Sequence, residues 1–126
     1  MNYDRFIDTV SGRMKLPYDQ AESITYATLQ TLAERISGGE ARDLASQLPK
    51  PLHEPLAKRQ EFAEPFDIDE FLNRVWQRSG LDAETVTDGV RAVFTTVRQA
   101  VTAGEFEDVM TQLPREFAEL APVPVR

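Results

Sequence analysis

A chain of 126 residues, 41% hydrophobic and 28% charged, has the size and balance of one ordered globular domain. Its 21 acidic against 14 basic residues give a net charge of −7 with the basic residues scattered, which argues against nucleic acid as a partner. Zero cysteines exclude disulfides and thiolate chemistry; with neither a signal-peptide start nor a long apolar run, no membrane span and a cytoplasmic location are expected.

Apolar residues in steps of three and four predict a helix over 3–14, then a long helix over 19–36 with Ala21, Thr25, Thr28, Leu29, Leu32 and Ile36 along one stripe. Ser37-Gly-Gly-Glu40 then fits the S/T-x-x-E capping box, with Ile36 and Ala41 at the staple positions, and opens a third helix over 38–48. Pro49 suits the first turn of a short fourth helix over 49–57, which Pro51 and Pro55 interrupt.

The chain then repeats itself. GEARDLASQLP from Gly39 returns as GEFEDVMTQLP from Gly104, 65 residues later, and the same offset without a gap sets Phe6 on Phe71, Val10 on Val75, Arg13 on Arg78 and Leu16 on Leu81. Second-half helices are therefore predicted over 68–79, 83–101, 103–113 and 114–121, with the clearer long stripe through Val86, Val90, Val93, Phe94, Val97 and Val101. Asp67 with Glu70 caps the first of these, Phe66 and Phe71 form its staple, and Thr102-Ala-Gly-Glu105 caps the third with Val101 and Phe106. The expected architecture is all-α: a helical bundle of two pseudo-symmetric repeats of three to four helices each. It forms one domain over 1–126, with repeat one at 2–57, a polar linker at 58–66, repeat two at 67–122 and an extended tail at 122–126.

The pairs FIDTVSGRMKL with FLNRVWQRSGL, and GEARDLASQLP with GEFEDVMTQLP, resemble the prokaryotic family called domain of unknown function 2267, from about Tyr3 to Ala121. The resemblance implies a small all-helical protein of two related halves and transfers no activity, cofactor or catalytic residue. Pro51 and Pro55 depart from the smoother fourth helix it implies.

Four sets of residues carry possible chemistry. Glu40, Asp43, Glu105 and Asp108 recur in both halves and would hold a hard cation if they converged, but first-turn carboxylates also cap free N–H groups and favour the helix dipole. That second reading explains both their position and their repetition, so no metal is assigned. Gln47 and Gln112, each before Leu-Pro, either present an amide to a partner or satisfy carbonyls left at the preceding helix end; the structural role is preferred. His53 has adjacent Glu54 but no other mark of a triad, and its counterpart is Ala118, so no catalytic residue is assigned. Trp76 and Phe106 replace Ser11 and Ala41, which suggests aromatic filling between the halves; Trp76 is read as core beside Phe71, Leu72 and Val75, with Tyr18 and Tyr26 as surface contacts.

No nucleophile set, metal motif or phosphate-binding glycine loop is present, so neither an enzyme nor a cofactor is assigned. The function expected by elimination is a protein-interaction or regulatory module, whose partner is another protein or a second copy of the chain. The alternative is a small-molecule binder with an apolar cavity between the repeats, lined by Trp76, Phe94, Val97 and Phe106. A carboxylate-metal enzyme stands third.

Overall fold

The computed structural model describes residues 1–57 and 60–122. Lys58 and Arg59, within the expected linker, and the expected tail from 123 lie outside the described residues. Three helices in the first half, α1 (Tyr3–Met14), α2 (Tyr18–Arg35) and α3 (Gly38–Ser46), are followed by a 3-10 turn at Lys50–Leu52 and a single α turn, α4 (His53–Leu56). The second half runs α5 (Ile68–Ser79), α6 (Ala83–Ala100), α7 (Ala103–Thr111) and a 3-10 segment at Arg115–Leu120. Among the described residues the regular structure is all helical. The bounds of the three longer helices recur 65 residues apart.

The corners have local chemical causes. Asn2, Ser37, Asp67 and Thr102 each accept the backbone N–H three residues on, starting α1, α3, α5 and α7. Lys15 (φ 57°) ends α1 and Gly80 (φ 73°) ends α5 in the left-handed region; only the second is a residue without a Cβ to object. Pro49 and Pro114 sit one position earlier than expected, as extended residues preceding the 3-10 segments rather than inside them. The fourth helix is correspondingly shorter: Pro51 and Pro55 limit the first half to one 3-10 and one α turn, and the second half forms only the 3-10 segment.

The halves interlock rather than sit side by side. Helix α2 packs on α1 of its own half and on α5 and α6 of the other, while α1 also packs on α6. This explains the weak stripe of α2: Ala21, Ile24, Thr25, Thr28, Leu29 and Thr31 are all buried because the helix is covered on several sides. Phe71 lies edge-to-face with Phe94 at 6.0 Å and with Phe117 at 5.3 Å, closing the interior from the second half. Residues 60–66 are strapped to the first half: Gly38 N–H donates to the Glu61 carbonyl at 2.7 Å and Glu64 N–H to the Glu34 carbonyl at 2.8 Å.

Trp76 is not core, contrary to its expected place. The buried line on α5 is Phe71, Val75 and Ser79, spaced by four; Trp76 is turned one residue off that line and is 45% exposed. Phe106, by contrast, is buried, with the Arg98 guanidinium 4.7 Å from its ring centroid.

Candidate functional site

The two repeated corners meet where α3 packs on α7. At each, the hydroxyl of the N-cap takes the N–H of the glutamate three residues on: Ser37 from Glu40 and Thr102 from Glu105, both at 3.2 Å. A reciprocal capping box would have each glutamate return to the N–H of its own cap, but those N–H groups have other acceptors. Ser37 N–H donates to Gln112 Oε1 at 2.7 Å, and Thr102 N–H donates to Gln47 Oε1 at 2.8 Å. Gln112 further donates from Nε2 to Ser37 Oγ at 3.1 Å. Each glutamine therefore caps a helix in the opposite half, rather than collecting carbonyls at the end of its own helix.

Relieved of that task, the glutamates turn to each other. Glu40, Asp43 and Glu105 present carboxylate oxygens that all lie within 4.8 Å of one another. Asp108 is outside that set, exposed, and adds its charge at longer range. Glu105 is only 8% exposed, and its Oε2 and that of Glu40 are buried without a hydrogen-bond partner. Burial first, then the Glu40 carboxylate beside it, then the charges of Asp43 and Asp108, push the Glu105 carboxyl up to about 8. Arg42, beside Asp43 in sequence, is engaged by Glu61 at 2.7 Å.

The residues suggested for a common cavity do not line one. Phe94 and Val97 are each 3% exposed in the core. Trp76 edges a groove of about 250 Å³ between α5 and α6, with Asp69, Leu72 and Val86. Phe106 instead lines a groove of about 520 Å³ with Val101 and Met110. His53 Nε2 lies 3.0 Å from the Leu48 carbonyl, a local tie across the Pro-rich corner. Tyr18 donates its hydroxyl to Asp4 at 2.8 Å and Tyr26 to the Pro51 carbonyl at 3.2 Å, so both tyrosines brace the first half.

Sequence reasoning did not anticipate a second contact between the halves. Arg78 donates to both carboxylate oxygens of Glu34, at 2.8 and 2.9 Å, and to Thr31 Oγ1 at 2.9 Å. Arg74 joins at Glu34 (3.1 Å) and lies 4.0 Å from the Phe66 ring centroid. Burial alone would raise the Glu34 carboxyl, but the hydrogen bonds and charges of Arg78 and Arg74 outweigh it and hold it below its ordinary value. The signal available was the alignment of Arg13 with Arg78: at the same offset, Arg13 donates to Gln99 at 2.9 Å.

Among curated proteins no relative matches the sequence. The family model described as uncharacterized conserved protein (DUF2267) matches residues 3–120. Those residues include every helix and both capped corners, and the chain belongs to the DUF2267 family.

Proposed function

We propose that this DUF2267 protein is a non-enzymatic interaction module that docks a basic, partly apolar helix of a partner protein against the α5–α6 groove. The observation that supports this reading is Trp76, the sole tryptophan, 45% exposed on the rim of an apolar groove that also carries Asp69. An exposed aromatic ring beside apolar neighbours is the usual form of a binding anchor, and a net charge of −7 favours a cationic partner by long-range attraction. The cysteine-free composition suits the cytoplasm, where we place this activity. The same reading takes the halves as two copies of one unit, fused and interlocked, with the partner surface developed on the second copy alone, since Ser11 stands where Trp76 does.

Because Trp76 is the only tryptophan, its emission reports on this groove directly. Titration with amphipathic helical peptides of matched apolar content, one basic and one acidic, should give a salt-sensitive blue shift with the basic peptide only. Trp76→Ala should weaken that binding at least tenfold by calorimetry. Equal affinity for both peptides, or unchanged affinity in the variant, refutes the proposal. A second reading is a small apolar ligand in the groove lined by Val101, Phe106 and Met110, favoured by its volume of about 520 Å³. Such a ligand would bind the Trp76→Ala protein as well as the parent.

A further inference from the structure

We propose that Glu40, Asp43 and Glu105 form a binding site for a hard divalent cation at the junction of α3 and α7. Three observations support it. The carboxylate oxygens come from both halves of the chain and lie within 4.8 Å of one another. Glu105 is a buried side chain, 8% exposed, aimed into that cluster, and its Oε2 has no partner. On the opposite helix Glu40 is half-buried, and its Oε2 too is enclosed without a partner. Buried carboxylate oxygens without donors are expensive to maintain, and the N–H groups of Ser37, Glu40, Thr102 and Glu105 already go to a hydroxyl or a glutamine. What the cluster lacks is positive charge at its centre.

Three carboxylate oxygens, one from each residue and all within 4.8 Å of one another, fit within the coordination shell of a hard divalent cation, which takes oxygen ligands. Asp43 is exposed, so the site opens to solvent on one side, which gives the ion an entry path and leaves room for water to complete its coordination. The protein's net charge of −7 raises the local cation concentration around that opening.

The test uses the full chain and Ca²⁺ alone. Isothermal calorimetry at pH 8.5, where a proton competes least, should show one Ca²⁺ per chain with a Kd of about 10⁻⁵–10⁻³ M. Saturating Ca²⁺ should raise the Tm. Glu105→Gln and Glu40→Gln should each lose tenfold or more in affinity while keeping the parental circular dichroism. Asp108→Asn, outside the converging set, should stay within about threefold. Asp43→Asn alters an exposed side chain and keeps the test decisive if the buried variants fail to fold; it too should lose affinity severalfold. No heat and no Tm change at 10 mM CaCl₂ overturns the site, as does full affinity in Asp43→Asn or Glu105→Gln. None of these outcomes depends on Trp76 or its groove.

Discussion

The side chain of Ile24 fills the place that a side chain at Gly89 would need: a Cβ at position 89 would lie 2.7 Å from Ile24 Cγ1 and 2.9 Å from Met14 Cε. The two positions correspond at the 65-residue offset, so α2 and α6 touch with a large residue on one and nothing on the other. Had both been isoleucine, the long helices could not approach so closely.

Gly89→Ala therefore sets overpacking, at about 1–3 kcal/mol, against a gain in helix propensity of at most about 1 kcal/mol. Met14 Cε can move aside, but Ile24 Cγ1 is held near its own backbone, so the overpacking should win. Urea denaturation should show a net loss of about 1–2 kcal/mol, partly recovered in Ile24→Val/Gly89→Ala. Gly12→Ala is the contrasting change: it also lies within a helix but meets nothing within 4 Å, and it should stabilise by about 0.5–1 kcal/mol.

The exchanged glutamine caps predict crossed effects. Gln47→Ala removes the acceptor of Thr102 N–H, and Gln112→Ala that of Ser37 N–H. Each should cost about 0.5–1.5 kcal/mol, with Gln112 at the upper end because its Nε2 also donates to Ser37 Oγ. Hydrogen exchange gives the sharper readout. Gln47→Ala should accelerate exchange at Thr102 and leave Ser37 protected, with the reverse for Gln112→Ala; acceleration within the mutated half alone would contradict the crossing.

Much of this was readable before any coordinates, and what was not has a common cause. Helix order, the Ser37 and Thr102 caps and the core identity of Phe71, Phe94 and Val97 follow from local spacing and turn chemistry. The sequence contained Gln47, Gln112, Glu40 and Glu105, but their use depends on a partner half reached through space, so a local rule assigned the glutamates to capping boxes and the glutamines to their own helix ends. Trp76 failed for a different reason: a single 100° step along α5 separates Val75 in the core from its exposed neighbour, finer than an apolar run can resolve. Likewise the weak stripe of α2 concealed the most enclosed helix, because an element wrapped by α1, α5 and α6 has little polar face to contrast.

Glu105 predicts an unusual pH profile for the metal-free protein. Its carboxyl is raised from 4.5 to about 8 by burial and by Glu40, so the folded chain holds a proton that the unfolded chain has released across that interval. The associated stability is complete below pH 4.5 and is lost as pH rises through 8. In the presence of a chelator, unfolding free energy should fall by about 1–3 kcal/mol between pH 5 and pH 8.5. Glu105→Gln, which keeps the shape and removes the titration, should flatten most of that slope; an unchanged slope in the variant would assign the effect elsewhere.

Arg78 with Glu34 and Arg13 with Gln99 pose the same contact with and without an acid, which permits a swap in both directions. Glu34 is partly buried and accepts from two arginines; Glu34→Gln takes the carboxylate from Arg78, while Arg74 keeps Glu70 and Glu64, and should cost about 1–2 kcal/mol at pH 7. Because the Glu34 carboxyl is held below its ordinary value, its contribution is present above the unfolded carboxylate value and is lost as pH falls from there through the lower folded value, so parent and Glu34→Gln should converge in acid. Gln99→Glu would give Arg13 an ion pair of its own, but both side chains are exposed, and solvent screening limits the gain to about 0–1 kcal/mol. A double-mutant cycle across Arg78 and Glu34 should give a coupling several times that measured across Arg13 and a glutamate at 99. Equal couplings would show that burial at the α2–α5 contact is not what makes the first pair strong.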